Sequence, residues 1–243
     1  MRTLLLLLLG ISMVTAAREA TAQDTQCVLE RAAMVETIRA YARSDVSVLG
    51  QQGLSERVLE AMGQTQRHLF VRRSCSIAYA DMPLPIGAGQ TISQPFIVAL
   101  MTQLANVAPD DVVLEVGTGS GYQAAILARL ARKVCTIEIP QLAEAAAKKL
   151  KDLAYDNVSV RLGDGYAGWP DCGPFDAIIV TAALGEVPPP LIEQLKVGGR
   201  LVMPVGSAYT TQRLTVVEKT GPGQTTTRAD GLVRFVPFTR SQD

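Results

Sequence analysis

The sequence contains little of what metal centres are usually built from. It has one histidine and four widely spaced cysteines, and neither a Cys-x-x-Cys nor a His-Glu-x-x-His motif. These absences argue against a zinc ribbon or a multi-histidine centre, and we predict no metal site. An excess of charge is also missing, because 23 Lys and Arg residues balance 23 Asp and Glu residues. Without a basic field, we expect neither nucleic-acid binding nor stable association with an anionic membrane.

A long hydrophobic run is missing as well, although the chain begins with a short one. Arg2 precedes the apolar run Leu4–Leu9, and small residues lead to Ala20-Thr21-Ala22 before a polar stretch. The run is about half of the roughly 20 residues that a membrane-spanning helix needs. A positive start, a short apolar core and an Ala-x-Ala site are typical of a secretory signal peptide, so we predict cleavage after residue 22 and a periplasmic or secreted protein. Translation from Met34 would instead give a cytoplasmic protein.

Export matters for the cysteines, because disulfides form in oxidising compartments. Cys27, Cys75, Cys135 and Cys172 can pair fully in three ways, and the sequence does not choose among them. Cys135 lies in an apolar run that predicts a buried strand, where a free thiol packs as a small hydrophobic group, so we expect it to pair last. A bridge between Cys27 and Cys75 is compatible with their shared place in the N-terminal third.

The hydrophobic periodicity of the first hundred residues is helical with one interruption. Residues 30–62 follow a helical pattern broken by a glycine-containing loop, which predicts two helices. Residues 63–92 are rich in proline and glycine and are predicted to be a loop held by turns. Ser93 then precedes Gln94-Pro95 and an apolar stretch, which predicts a helix with Ser93 as its N-cap.

From residue 112 onward, short apolar runs alternate with helical patterns of about 10 to 15 residues. This alternation predicts βαβ units, and therefore a parallel sheet with helices on both faces. Two further alternating segments, 213–218 and 232–237, predict a C-terminal β-hairpin with residues 220–231 as its loop.

The chain is long and apolar enough for one large core, since 48% of its 243 residues are hydrophobic. We predict an α/β fold, namely a doubly wound and mostly parallel Rossmann-like sheet with a helical N-terminal cap and a C-terminal hairpin. The mature chain, 23–243, is predicted to be one domain, with 23–108 as the cap and 109–243 as the sheet.

A glycine-rich loop follows the first strand of the predicted sheet. The segment Gly117-Thr118-Gly119-Ser120-Gly121 comes directly after the apolar run Val112–Val116 and opens a helix. Doubly wound sheets bind cofactors at this position, because glycines let backbone N–H groups and the helix N-terminus come close to a ligand. We therefore predict a cofactor site here.

Acidic residues at the strand ends narrow the choice of cofactor. Glu138 ends the second strand and is placed to accept hydrogen bonds from both hydroxyls of a ribose. Asp164, in Gly163-Asp164-Gly165 after the third strand, is suited to accept a hydrogen bond from the amine of an adenine. Glu115 at the edge of the glycine loop would repel a pyrophosphate but attract the cationic sulfonium and amino group of S-adenosylmethionine. The pattern favours S-adenosylmethionine over NAD.

Several segments together match one known family. They are Ala78-Tyr79, Pro83-Leu84-Pro85-Ile86-Gly87, Gly89-Gln90-Thr91-Ile92-Ser93-Gln94-Pro95, Leu114 to Tyr122, Gly163-Asp164-Gly165 with Gly168-Trp169, Phe175 to Ala183, Gly198-Gly199-Arg200 and Pro204-Val205-Gly206. Over about residues 34–238 the chain resembles the protein-L-isoaspartate O-methyltransferases. The segment from Thr91 to Pro95 is the most specific part of the match, because in this family it forms the isoaspartyl site.

The resemblance implies the class I methyltransferase fold and methyl transfer from S-adenosylmethionine to the α-carboxylate of L-isoaspartyl residues, the first step in their repair. It implies that Ser93 is catalytic and fixes the attacking carboxylate with a hydrogen bond. It implies substrate contacts from Thr91, Ile92, Gln94, Thr181, Ala182 and Ala183. The expected cofactor residues are Glu115, Gly117, Thr118, Gly119, Ser120, Gly121, Glu138, Asp164 and Gly165, and Gln212 is expected to reach the cofactor or the substrate.

Other interpretations stay open. An NAD-linked oxidoreductase is disfavoured by the Gly-x-Gly-x-Gly spacing, by Glu115 and by the absence of a Tyr-x-x-x-Lys pair. A methyltransferase acting on another carboxylate and a non-catalytic periplasmic binding module with the same fold are further alternatives. The expected partners are isoaspartyl-containing proteins and peptides, and we expect a monomer. The single histidine, His68, is predicted to be structural, because methyl transfer to an ionised carboxylate needs no imidazole.

Overall fold

The computed structural model of the chain describes residues 24–44 and 53–240. The predicted signal peptide lies outside these residues. Among the helices that are described, none is both long enough and apolar enough to cross a membrane.

The N-terminal cap contains the two predicted helices and more regular structure than predicted after them. Residues 24–44 are helical and form α1. The elements that follow are α2 (Glu56–Gln64), a 3-10 turn (Arg67–Leu69), α3 (Cys75–Ala78), β1 (Leu84–Gly87), β2 (Gln90–Ile92) and α4 (Pro95–Ala105). The strands β1 and β2 pair as an antiparallel hairpin within the segment that was predicted to be a loop. The prolines of this segment fit there because a two-stranded sheet consists of edge strands, which tolerate proline.

The prediction that Ser93 caps α4 is wrong. The N-cap residue is Gln94, and its side chain makes no capping hydrogen bond. The backbone N–H of Phe96 instead donates to Oδ1 of Asp81 at 2.8 Å. This carboxylate lies in the chain just before β1. A tertiary contact therefore provides the hydrogen-bond acceptor that the hydroxyl of Ser93 was expected to provide at the start of the helix.

The C-terminal part forms the predicted alternation of strands and helices. Its elements are β3 (Val112–Val116), α5 (Tyr122–Ala128), β4 (Lys133–Glu138), α6 (Pro140–Asp152), β5 (Val158–Leu162), a 3-10 turn (Gly165–Ala167), β6 (Phe175–Val180), α7 (Pro189–Gln194), β7 (Leu195–Val205), β8 (Gln212–Gly221) and β9 (Gln224–Val233). The strand order is β5-β4-β3-β6-β7-β8-β9. The first five strands of this order are parallel, and the pairs β7-β8 and β8-β9 are antiparallel.

The sheet has a core on each face, as the α/β prediction requires. Along β3, Val113 belongs to the core that α1, α2, α4 and α5 cover, whereas Leu114 belongs to the core that α7 covers. A strand buried on both faces reads as a continuous apolar run, which is why β3 was recognised from its sequence. The prediction of a doubly wound, mostly parallel sheet is confirmed.

The C-terminal hairpin exists, but its turn was predicted in the wrong place. Residues 224–231 were predicted to be part of the loop, yet they belong to β9 and pair with β8. The three threonines from residue 225 are β-branched, and most of this edge strand is exposed, so polar side chains are compatible with it. Residues 234–240 consequently leave the sheet edge and return to the ends of the parallel strands.

Both pairs of cysteines are bonded. Cys27 of α1 pairs with Cys75 of α3, with Cα atoms 5.0 Å apart, and Cys135 of β4 pairs with Cys172, with Cα atoms 6.6 Å apart. The expectation that Cys135 pairs last is therefore not met. Its side chain points to the core covered by α7, and Cys172 packs in the same core.

Candidate functional site

Three strand ends meet at the carboxyl edge of the sheet around β3. The chain leaves β3 towards β4 on one side, while β6 lies on the other side, so the strand order reverses here. The backbone N–H of Gly117 donates to the carbonyl of Ile137, and the N–H of Thr181 donates to the carbonyl of Val116. A cleft lies beside these bonds, at the position where doubly wound sheets bind ligands.

Glycine is required in the loop because the chain passes very close to the end of β6. Gly117 has a φ of 99°, and a Cβ atom on it would lie 2.3 Å from Oγ1 of Thr181. That hydroxyl donates to the carbonyl oxygen of Gly117 at 2.7 Å. Gly119 also has a positive φ, of 54°, which an L side chain rarely adopts. The loop therefore presents bare backbone to the cleft.

Glu138, at the end of β4, is hydrogen-bonded to the glycine loop. Its Oε2 accepts a hydrogen bond from the N–H of Gly119 at 2.5 Å, and its Oε1 accepts one from the N–H of Ile139 at 2.7 Å. Burial raises the pKa of Glu138, and the two backbone donors act in the opposite direction. Each carboxylate oxygen keeps a further lone pair for a ligand hydroxyl.

Glu115 is the fully buried acid of the site. Its Oε2 accepts a hydrogen bond from the hydroxyl of Thr136 at 2.6 Å, and the hydroxyls of Thr136 and Thr118 are themselves 2.6 Å apart. Its Oε1 has no partner among the described residues. Burial raises the pKa of Glu115 to about 8. The sequence argument assumed an ionised carboxylate, whereas a carboxyl with this raised pKa is mostly protonated at neutral pH, and a nearby cation would favour its ionised form.

The segment that was predicted to read the substrate forms another wall of the cleft. Gln90, Thr91, Ile92 and Ser93 all line it. Ser93 is half-buried, and its hydroxyl makes no hydrogen bond to any residue that the structure describes. Because this hydroxyl does not cap α4, it is free to bind a ligand.

Asp81 holds this wall in position, and the sequence argument missed it. Besides capping α4 through Phe96, its Oδ2 accepts a hydrogen bond from Nε2 of Gln94 at 2.7 Å. Asp81 therefore fixes Gln94 and Phe96, which lie on either side of Pro95, the first residue of the helix. An acid in a Pro-rich loop carries no periodic signal, so only the folded hairpin reveals this contact.

The cleft collects most of the predicted site residues but not all of them. Those that line it are Thr91, Ile92, Ser93, Glu115, Gly117, Thr118, Gly119, Ser120, Glu138, Gly165, Thr181 and Ala182. Those that lie outside its lining are Gln94, Gly121, Asp164, Ala183 and Gln212. Gln94 and Ala183 are engaged beside the cleft, by Asp81 and by the backbone of Val236 and Phe238 respectively.

Asp164 and Gln212 use their polar atoms on the protein itself. Oδ1 of Asp164 accepts from the N–H of Tyr166, and Oδ2 pairs with the guanidinium of Arg240, whose Nη2 is 2.8 Å away. The fully buried amide of Gln212 donates to the carbonyl of Ser207 and accepts from the N–H of Phe235. Gln212 thus positions the C-terminal segment and does not enter the cleft.

That C-terminal segment is a wall of the cleft that the sequence argument did not foresee. Residues 236–239 line it, opposite the glycine loop. The N–H of Ala183 donates to the carbonyl of Val236, and the N–H of Phe238 donates back to the carbonyl of Ala183. The alternating pattern of residues 232–237 predicted a strand paired with residues 213–218. In the structure, the end of this segment pairs with Ala183 instead.

Comparisons with known proteins agree with this site. The sequence model of the protein-L-isoaspartate(D-aspartate) O-methyltransferase family matches residues 44–243. Protein-L-isoaspartate O-methyltransferase 2 of Polaromonas sp. is 56% identical over 208 residues, which cover 85% of this chain and 99% of the relative. Protein-L-isoaspartate O-methyltransferase 1 of Cupriavidus necator is 53% identical over 220 residues, which cover 90% of this chain and 85% of the relative.

Two solved structures are also similar. One, a protein-L-isoaspartate O-methyltransferase, has a TM-score of 0.74 at 27% identity; the match covers 85% of this chain but 65% of that longer chain, which is less than two thirds of its length. The other is described as a putative protein-L-isoaspartate O-methyltransferase from Plasmodium falciparum in complex with S-adenosyl-L-homocysteine. It has a TM-score of 0.72 at 26% identity, covering 87% of this chain and 99% of that chain.

A sheet that reverses at β3, with bare glycine backbone and a paired acid at its carboxyl edge, defines the class of Rossmann-like S-adenosylmethionine-dependent methyltransferases. Within that class, the chain belongs to the protein-L-isoaspartate O-methyltransferase family. The predictions of the fold, the family and the cofactor class are confirmed at this level. The roles of the individual site residues stay predictions.

The buried Glu115 gives a prediction about stability. A carboxyl whose pKa is raised from 4.5 to about 8 on folding contributes stability that is present below 4.5 and is lost as the pH rises towards 8. The variant Glu115→Gln cannot ionise, so its free energy of unfolding relative to the wild type should be higher at pH 8 than at pH 5. Urea unfolding at the two pH values measures this difference. The exposed Glu144→Gln is the control, and its effect on the free energy of unfolding should be equal at pH 5 and pH 8. An effect of Glu115→Gln that is equal at the two pH values would contradict a raised pKa of Glu115.

Proposed function

We propose that this chain transfers the methyl group of S-adenosylmethionine to the α-carboxylate of L-isoaspartyl residues in damaged proteins and peptides. The observation that carries the proposal is the meeting of two segments in one cleft. The glycine loop after β3 forms one wall, and residues 91–93, part of the segment that resembles the isoaspartyl site of the family, form another. A cofactor and a peptide carboxylate held by these walls would be neighbours.

The residues of the cleft fit S-adenosylmethionine. Gly117 and Gly119 line the cleft with backbone that carries no side chain, and a Cβ atom on Gly117 would collide with Thr181. Glu138 offers two hydrogen-bonded carboxylate oxygens to the ribose hydroxyls. Oε1 of Glu115 lacks a partner, which suits a cationic group of the ligand, because a nearby positive charge favours the ionised carboxyl. When bound, the cofactor supplies a methyl group on a positively charged sulfur.

The remaining chemistry requires alignment and needs no strong base. A substrate carboxylate with a pKa of about 4 is already ionised at neutral pH. Ser93 donates a hydrogen bond that fixes the attacking oxygen, while Asp81 holds the neighbouring backbone in place. Ile92 and Pro237 exclude water from the cleft, so that the nucleophile is less solvated. This division of tasks explains how a chain with one histidine can be an enzyme.

The proposal also covers the export, the domain organisation and the oligomeric state of the chain. Residues 1–22 act as a signal peptide, so the mature enzyme is periplasmic or secreted. Residues 23–108 form the cap with the substrate segment, and residues 109–243 form the cofactor-binding sheet of the same domain. The enzyme acts as a monomer, without nucleic acid and without stable membrane association.

Glu138 provides a test of the cofactor site. Replacing it by alanine removes a charged acceptor for both ribose hydroxyls, so the affinity for S-adenosylmethionine should fall by about 10- to 100-fold. Calorimetry on folded protein measures this, with the exposed Glu144→Ala as the control that keeps wild-type affinity. If Glu138→Ala binds S-adenosylmethionine as tightly as the wild type, Glu138 does not contact the cofactor. Tighter binding of NAD than of S-adenosylmethionine by the wild type would favour an oxidoreductase.

Substrate identity is tested with a pair of peptides that differ in one linkage. In an isoaspartyl residue the free carboxylate lies one methylene nearer the backbone, so a cleft that positions the main chain should misplace a normal aspartyl carboxylate by about 1 Å and transfer methyl groups to it about 100-fold more slowly. Ser93→Ala should lower kcat by about 10-fold or more without weakening cofactor binding.

The ratio of the rates on the two peptides and the kcat of Ser93→Ala are both measured by methyl transfer to the paired peptides. Ser159→Ala, on the exposed edge of β5, is the control. Equal rates on the two peptides would point to another carboxylate substrate. Cofactor binding without any transfer would point to a non-catalytic binding module. A fully active Ser93→Ala enzyme would show that the serine has another role.

Export is tested on the native protein. N-terminal sequencing of the chain from its source should give a start at Gln23, because cleavage after an Ala-x-Ala site leaves that residue first. An intact Met1, or a start at Met34 in a cytosolic fraction, would contradict export.

A further inference from the structure

Three potential metal ligands lie together on the N-terminal cap. Cys27 comes from α1, His68 from the 3-10 turn and Cys75 from the start of α3. Their ligand atoms all lie within 4.8 Å of one another, and the two sulfurs are joined as a disulfide. None of the three lines the cleft. Methyl transfer makes no use of them.

The histidine of this cluster is oriented by a neighbour. Its Nδ1 lies 2.7 Å from the hydroxyl of Tyr79. A histidine that donates Nδ1–H to an oxygen keeps its lone pair on Nε2, and this is how metal-binding histidines are commonly fixed. The phenol therefore holds the ring, and in the tautomer that carries Nδ1–H the lone pair on Nε2 is available to a metal ion.

The donor set determines the kind of ion. Two thiolates and one imidazole are typical zinc ligands, and tetrahedral zinc requires such atoms about 3.5 to 3.8 Å apart. The ligand atoms of the three residues lie within 4.8 Å of one another, which is close to this spacing. Both cysteines are buried and His68 is half-buried, so a fourth position is open to water on the side of the histidine.

We propose that Cys27, His68 and Cys75 form a site that binds zinc when the disulfide is reduced and does not bind zinc when the disulfide is formed. A phosphine reductant and one water convert the disulfide into two thiols and a phosphine oxide. Zinc then displaces the two thiol protons, which are released to solvent. Either link, the disulfide or the metal, ties α1 to α3, so the cap is held together in both redox states.

The second disulfide provides a matched control within the same chain. Cys135 and Cys172 lie in a separate core on the other face of the sheet, and His68 is the only histidine in the sequence. Reduction therefore gives two pairs of thiols, of which only one has an imidazole beside it. Zinc binding that depends on the histidine distinguishes the two pairs.

The experiment uses the chain from Gln23 onward, reduced with the phosphine and freed of metal. Zinc is added, unbound ion is removed by gel filtration, and bound zinc per chain is measured by elemental analysis. Competition with a chromogenic chelator gives the affinity, and Co²⁺ in place of zinc gives the absorption of a tetrahedral thiolate site. The reduced wild type should retain one ion per chain, and the oxidised wild type none.

Variants decide whether these three residues are the ligands. The double variant Cys135→Ser with Cys172→Ser should still bind one zinc ion, whereas Cys75→Ser should bind none. His68→Gln keeps all four cysteines and should bind zinc at least 10-fold more weakly, which keeps the test decisive if Cys75→Ser does not fold. Absence of zinc from the reduced wild type, or equal affinity in His68→Gln, would overturn the proposal.

Discussion

The close approach of three chain segments at the end of β3 is the constraint on which the rest of the site depends. Gly117 touches the hydroxyl of Thr181, and a Cβ atom on Gly165 would lie 2.2 Å from Cγ1 of Val116. Side chains from the neighbouring strand ends already fill this space, so positions 117 and 165 have no room for a Cβ atom. Glu115 and Glu138 line the same cleft.

Two polar side chains, one in the cap and one in the sheet, hold the backbone next to the cleft. Asp81 fixes the start of α4, which carries the wall containing Ser93, and Gln212 holds the strand end from which the C-terminal wall begins. Both residues satisfy backbone donors that would otherwise be buried without a partner. Each contact therefore holds one wall of the cleft, the substrate segment in the first case and the C-terminal segment in the second.

Much of the fold was predictable because its signals are local. The central strands β3, β4 and β6 are mostly apolar runs bounded by glycine, proline or helix, and their burial on both faces leaves little ambiguity. The errors fall where two local signals compete. Ser93 lies in a sequence that is typical of a helix N-cap, but the N–H group at the helix start is hydrogen-bonded to Asp81 instead. Residues 224–231 look like a loop, yet as an edge strand they need no apolar face.

By itself the sequence determined the sheet, the glycine loop and Glu138, because each is encoded within a few residues at a strand end, and parallel strands bring their ends together. It also carried the family resemblance, because that match lies in contiguous segments. Only the tertiary structure decided that Asp81 and residues 236–239 belong to the site, which cysteines pair, and that His68 lies beside Cys27 and Cys75. These contacts join residues far apart in the chain, and side-chain geometry that depends on packing has no local signature in the sequence.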